Sequence, residues 1–342
     1  MYNETRDLVD TTVRVKITKD FAMPRNILVA AVQMNCQPGE VENNLAHAET
    51  MITRAVKQGA ALVLLPELMP SGYMATEEIW NSAESINGRS VKWLMSTAKR
   101  FGIYLGFSFL EAEGEDFYNS FVLSSPEGKL IGRVRKNPPA SIEAYFYKAG
   151  SDPHAIETEI GRIGVAICYE NLIYDQMCFL YGENVDLVLS PAAAGRPKPF
   201  IPGDVKRFEN MLINGRAVFA ETLGVPVVMA NRVGTLETDL PGNLPYLKSS
   251  FPGLSSIVDY DGAVKAELGD EEGIIVADVH LEHNDERKSK PRRYGKMWGI
   301  PTPWYAFIWP LTQKWGEKSY ATNTRRKERA LLVSRSEESV TL

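Results

Sequence analysis

Residues 27–65 read ILVAAVQMNCQPGEVENNLAHAETMITRAVKQGAALVLL, and the order of patterns in this stretch decides the fold class. Ile27 to Met34 is a short apolar run of strand length. Asn43 to Gln58 then places Leu45, Ala48, Ile52, Ala55 and Val56 at helical spacing, and Gly59 is a suitable stop. Ala61 to Leu65 is apolar without alternation, as expected of a strand buried on both faces. The unit is strand, helix, strand. Working outward, the same alternation predicts a helix over Ser90–Phe101, a strand over Ile103–Phe109, and two strands at Tyr118–Leu123 and Lys129–Val134 joined by a Ser-Pro-Glu-Gly turn. A strand follows at Arg162–Ile167, a helix at Leu172–Tyr181, a strand at Asp186–Ser190, a long helix within Asp204–Leu223 and a strand at Val225–Asn231. A hairpin of Leu254–Asp259 with Val264–Leu268 and a strand at Gly273–Val279 complete the series. Strands interleaved with helices, with hairpins embedded, give an α/β fold, most economically a four-layer α-β-β-α sandwich with two mixed sheets face to face.

The 342 residues allow two small domains or one large one. No linker-like stretch breaks 26–281, so this is expected to be one domain, preceded by an extension (1–25) and followed by an arm (282–342). The arm holds six basic residues between Arg287 and Lys296 and an aromatic group, Trp298, Trp304, Tyr305, Phe307, Trp309 and Trp315. A solvated or subunit-bridging role is expected of it, since exposed aromatic clusters are otherwise an aggregation risk. The 38 basic and 43 acidic side chains leave a formal charge of −5, which argues against a general partner among nucleic acids or anionic membranes. No window approaches the roughly 18–20 apolar residues of a membrane span. The first 26 residues lack the apolar core of a secretory signal, so a cytoplasmic location is the default. Three scattered cysteines, Cys36, Cys168 and Cys178, do not make a disulfide framework.

Motifs for nucleotide phosphates (GxGxxG, GxxxxGK[ST]), for zinc (HExxH, CxxC) and for a serine elbow (GxSxG) are missing. His280 and His283 lie three apart, but in a charged segment after the last strand, where a surface role outweighs metal binding. Three apolar strands, however, end in a reactive residue. Leu64-Leu65-Pro66-Glu67 sets a carboxylate at the edge of the core, where desolvation would make it a usable base; the plainer alternative is a turn glutamate held by backbone amides. Gly132-Arg133-Val134-Arg135-Lys136 ends in a lysine that could equally belong to a solvated strand face. Gly164-Val165-Ala166-Ile167-Cys168-Tyr169-Glu170-Asn171 sets a thiol between a strand end and a helix start, a place expected to favour thiolate, although buried structural cysteines are common. Cys36, in a loop, and Cys178, in a helix, have no such setting.

Taken together, the order Glu, Lys, Cys at three strand ends resembles the nitrilase, or carbon–nitrogen hydrolase, superfamily. The resemblance covers about 26–279 and is carried by VAAVQMN, LVLLPEL, GRVRKNPPASIE, GRIGVAICYEN and DLVLSPAA. It implies the same sandwich and a triad of Glu67, Lys136 and Cys168, with Glu143 in the place of a second glutamate found in many relatives. It implies a thiol attack on a carbon bonded to nitrogen and no cofactor or metal. Tyr73, Tyr145, Phe146, Tyr169 and the Ser190–Gly195 loop, including Ala192, are the expected pocket lining. Cys-Tyr-Glu-Asn is similar to the Cys-Trp-Glu-Asn of true nitrilases, but Tyr169 departs from it, as does Pro-Pro-Ala-Ser-Ile-Glu-Ala from their Pro-Thr-x-x-Glu-Arg. Amide or carbamoyl hydrolysis of a small molecule is therefore ranked ahead of nitrile hydrolysis. A thioester acyltransferase is a further reading, weakened because that branch carries membrane helices. A non-catalytic scaffold would be expected to lack one of the three residues, and a papain-like pair would need His154 beside Cys168. Relatives commonly form dimers or larger homo-oligomers, and the same is expected here.

Overall fold

The computed structural model describes residues 26–197, 202–242, 244–281, 285–294, 297–298 and 308–338. The extension 1–25, His283, Lys296, Trp304, Tyr305 and Phe307 lie outside the described residues. Two six-stranded sheets form the centre. The first comprises β1 (Asn26–Gln33), β2 (Leu62–Leu64), β3 (Tyr104–Glu113), β4 (Asp116–Ser124), β5 (Leu130–Arg135) and a late strand at Gly273–His280, in the order late strand, β1, β2, β3, β4, β5. The first helix, α1 (Val41–Lys57), and α2 (Arg89–Phe101) cover its outer face. The second sheet holds β6 (Ala155–Thr158), β7 (Gly161–Val165), β8 (Leu187–Ala192), β9 (Val227–Asn231) and the hairpin Ser256–Val258 with Val264–Glu267, covered by α3 (Tyr174–Gly182) and α4 (Asp204–Leu223).

Side-chain alternation explains how one strand serves two cores. Along β1, Val29 and Ala31 face the second sheet with Leu62, Leu64, Phe121, Leu189 and Ile257, while Ala30 and Val32 face the α1 and α2 side with Leu45, Ile52 and Leu94. A third cluster packs Met177 and Leu180 of α3 and Phe219 and Leu223 of α4 onto the second sheet. These layers form the expected sandwich. Gly59 follows the α1 C-cap at φ +90, a backbone value that suits glycine.

The third helix starts later than expected. A five-residue 3₁₀ turn, Cys168–Leu172, separates β7 from α3. Five elements had no strong pattern: the edge strand β6, the two strands of the hairpin β10 (Val233–Thr238) and β11 (Leu247–Pro252), and two helices of the arm, α5 (Trp309–Thr322) and α6 (Thr324–Glu338). The described arm packs on its own chain. Tyr320 Oη accepts the Phe117 N–H at 2.8 Å, and buried Arg326 pairs with Asp116 at 2.5 Å. Gly316 lies where an added Cβ would come within 2.8 Å of the Ala144 and Tyr145 backbone.

Candidate active site

The site sits where strands of both sheets end. Glu67 follows β2 and Lys136 follows β5, both in the first sheet; Cys168 follows β7 and Ala193 follows β8, both in the second. Glu67 and Lys136 are fully buried and Glu143 nearly so, which removes the solvated strand face weighed for Lys136. The neighbouring arginines do occupy the outer face, where Arg133 and Arg135 pair with Glu111 at 3.0 and 2.9 Å.

Lys136 Nζ is held between two carboxylates, 2.6 Å from Glu67 Oε1 and 2.7 Å from Glu143 Oε2. Glu67 Oε1 also accepts from Asn119 Nδ2 at 2.7 Å, and its Oε2 from the Ala193 N–H at 2.8 Å. Glu143 belongs to a 3₁₀ turn, Ser141–Tyr145, and its Oε2 accepts the Ala140 N–H at 2.7 Å. Burial works against the lysine charge, but Glu143 and then Glu67 outweigh it and hold the Lys136 pKa well above the usual lysine value. Burial raises the Glu143 pKa, with Lys136 opposing. Two acids around one ammonium thus keep the cation charged while one acid readily holds a proton.

Cys168 opens onto a cavity, and its backbone lies at φ +51, a conformation that non-glycine residues seldom adopt. Leu68, beside Glu67, and Ser141, two before Glu143, share it at φ 50 and 51. Strain of about 1–3 kcal/mol at each is characteristic of functional sites. The expectation that Cys168 favours thiolate is corrected. Desolvation, followed by the charge of Glu67, pushes its pKa well above the usual thiol value, against the pull of Lys136. The physical reason is the short turn: one 3₁₀ turn supplies little of the dipole that a long helix would direct at the sulfur.

Glu170 is a structural tie that the sequence reading passed over. Fully buried, its Oε1 accepts the Asn137 N–H at 2.5 Å and hydrogen-bonds His154 Nε2 at 2.8 Å, while Oε2 accepts the Ile167 N–H at 2.6 Å. It therefore clamps the segment after Lys136 to the segment before Cys168, and His154 serves that clamp. Asn119 was also missed, because nothing in β4 distinguishes it from other polar strand positions. Its only signal is the side chain's position opposite the β2 end.

The cavity measures about 500 Å³, and Tyr73, Glu143, Cys168, Tyr169, Ser190 and Ala192 are among the residues lining it. Tyr145 and Phe146 are not in its wall, a second correction. The 3₁₀ turn that points Glu143 inward carries these rings away, Phe146 against Trp80 and Tyr145 against Gly242. Thr312 of α5 lies 2.7 Å from Ser141 Oγ, and the Trp309 ring meets the Tyr169 ring edge-on at 4.8 Å.

The sequence of residues 28–288 matches the family model described as carbon-nitrogen hydrolase. The chain belongs to the carbon–nitrogen hydrolase family. It is an enzyme of that class, within the nitrilase superfamily. Among curated relatives, N-carbamoylputrescine amidase of Solanum lycopersicum is 28% identical over 81% of this chain and 91% of its own. A nitrilase of Pyrococcus abyssi is 31% identical over 75% of this chain and 92% of its own, and a citrullinase of Francisella tularensis 30% over 71% and 84%. A carbon–nitrogen hydrolase from Helicobacter pylori shares the fold with a TM-score of 0.70 at 22% identity, over 77% of this chain and 92% of that one. Saccharomyces cerevisiae Nit3 superposes with a TM-score of 0.63 at 26% identity, over 75% and 91%. Among the described residues no helix is long and apolar enough to cross a membrane, and no group of ligating side chains could hold a metal.

Proposed function

We propose that this carbon–nitrogen hydrolase cleaves a primary amide or carbamoyl group through a thioester on Cys168, with Glu67 as base, Lys136 as electrophilic support and Glu143 as a positioning acid. The observation that carries the reading is the buried Lys136 ammonium, held at 2.6 and 2.7 Å by two carboxylates beside a thiol that opens onto the cavity. Because the thiol rests protonated, it needs a base. Glu67 takes the Sγ proton as sulfur bonds to the carbonyl carbon, and the C=O electron pair moves onto oxygen. Lys136 and the Tyr169 N–H stabilise that oxyanion; one such donor is worth about 3 kcal/mol. Collapse of the adduct breaks the C–N bond, and protonated Glu67 gives its proton to the departing nitrogen. Glu67 then takes a proton from water as its oxygen attacks the thioester. Collapse of that adduct breaks the C–S bond and protonated Glu67 returns its proton to sulfur, so that an amide and water have given carboxylic acid and ammonia, and a carbamoyl amine ammonia and a carbamic acid that falls to amine and carbon dioxide.

Two of the relatives named above are an amidase and a citrullinase, which supports amide and carbamoyl substrates. Nitrile hydrolysis is the second reading, favoured by the relative named nitrilase at 31% identity. In the test, the protein is incubated with primary amides, carbamoyl amines and nitriles; ammonia is measured, and intact mass reports acylation. Amides or carbamoyl amines should release ammonia, with an adduct on Cys168 that Cys168→Ala lacks. Full activity in Cys168→Ala would overturn the mechanism, and turnover of nitriles alone would reverse the ranking.

A cytoplasmic setting is supported by Cys36, Cys168 and Cys178, all free thiols. We take 26–281 as the hydrolase unit and 282–342 as its arm. Exposed Ile308, Leu311 and Trp315 on and beside α5, with Leu332 on α6, support a homodimer or larger assembly. Light scattering after gel filtration gives the mass.

A further inference from the structure

We infer that the substrate's non-reacting part is apolar, an aryl or branched alkyl group, and that α5 builds the wall that selects it. The inference rests on the hydrolase reading above and names the substrate class for the same cavity. Beyond Cys168 the cavity runs between apolar walls. Leu172, Phe208, Met211 and Trp309 belong to one cluster in its wall, and Leu236 and Leu240, from two further clusters, line it as well. Its volume, about 500 Å³, is some three times that of the roughly 150 Å³ apolar cavities that admit benzene. A ring on a short chain therefore fits together with the reacting amide.

Charge points the same way. Glu143, Arg196 and Arg216 are the ionisable acid and base side chains among the described lining, apart from Cys168 and the tyrosines. Glu143 is committed to Lys136 at 2.7 Å. Arg196 is ion-paired with Glu209 at 2.7 Å and donates to Ser250 Oγ at 2.9 Å, and Arg216 donates to the Leu254 carbonyl. An ammonium on the substrate tail would lose its water and meet two guanidinium groups, and Glu143, already committed to Lys136, is the one acid of the described lining that could offset the cost. A carboxylate tail would have to compete with Glu209 for Arg196 or with the Leu254 carbonyl for Arg216, whose Nε is buried without a hydrogen-bond partner among the described residues, and succinamate tests that alternative.

The α5 contribution lies outside the span that the family model matches, 28–288. Trp309 packs edge-on against Tyr169, next to the proposed nucleophile, and Thr312 is hydrogen-bonded to the turn that carries Glu143. The helix is thus tied to both sides of the reacting centre, and its first turn determines how much room an acyl group has.

The test compares kcat/KM for 3-phenylpropionamide, acetamide, succinamate and N-carbamoylputrescine on the full-length protein, with Trp309→Ala and Trp309→Phe alongside. The aryl amide should exceed each of the others by about tenfold or more, the range expected when an apolar pocket is filled. Trp309→Ala should lose at least fivefold more on the aryl amide than on acetamide, mainly through KM, and Trp309→Phe should recover part of the loss. Equal or better turnover of the anionic or cationic substrate by the wild type overturns the inference while leaving the hydrolase reading intact. Absence of ammonia and of a Cys168 adduct with every substrate removes both together.

Discussion

At Cys168 burial and two neighbouring acids oppose one ammonium for control of a single proton, and the acids and burial prevail. The thiol pKa lies well above the ordinary value, so the thiolate fraction rises with pH throughout the neutral and mildly alkaline range. Alkylation by iodoacetamide should therefore climb about tenfold per pH unit from pH 6 to 9, since thiolate is the reacting form. A plateau near neutrality would contradict this. Glu67→Gln deletes a charge that raises the pKa, so its alkylation curve should shift to lower pH while ammonia release falls. Glu67 and Cys168 stood out because each ends an apolar run at a strand end, Lys136 only in their company, and Glu143 only through the family resemblance. Asn119 and Glu170 were not, since a buried asparagine in a strand and a glutamate in a turn acquire their roles only from partners distant in the chain, such as Glu67 and Asn137.

At the scale of elements, one small residue of α5 adds to its hold on the site. Gly316 packs on the turn Ser141–Tyr145, with no room for a Cβ against backbone atoms that cannot swing aside. Gly316→Ala should cost about 1–3 kcal/mol in denaturant unfolding, the usual price of overpacking, and lower kcat/KM as the Glu143 turn shifts. Lys314→Ala, two residues earlier and exposed, should stay within about 0.5 kcal/mol. The helix escaped the sequence reading because Trp309, Pro310 and Trp315 resemble an aromatic tail, and its buried face, Thr312, Gly316 and Tyr320, is not hydrophobic. Similar reasons hid β6, a four-residue edge strand whose one deeply buried apolar side chain is Ile156, and the β10–β11 hairpin, where Thr235, Glu237, Lys248 and Ser250 alternate outward. The apolar runs Leu62–Leu65, Ile163–Ile167 and Leu187–Leu189, by contrast, mark β2, β7 and β8 plainly.

Over the whole molecule, stability and chemistry meet in the layer between the sheets. Leu189 of β8 is fully buried there, three residues before Ala192. Leu189→Ala should cost about 2–5 kcal/mol, read as a lower urea midpoint with an unchanged slope. A normal midpoint would show that the layer tolerates a void.

Because Glu67 and Lys136 are mounted on one sheet and Cys168 on the other, neither half of the sandwich holds the proposed catalytic set on its own. On the proposed mechanism the thiol lacks its base until the two sheets face each other, so a chain whose halves have come apart would carry a dormant nucleophile.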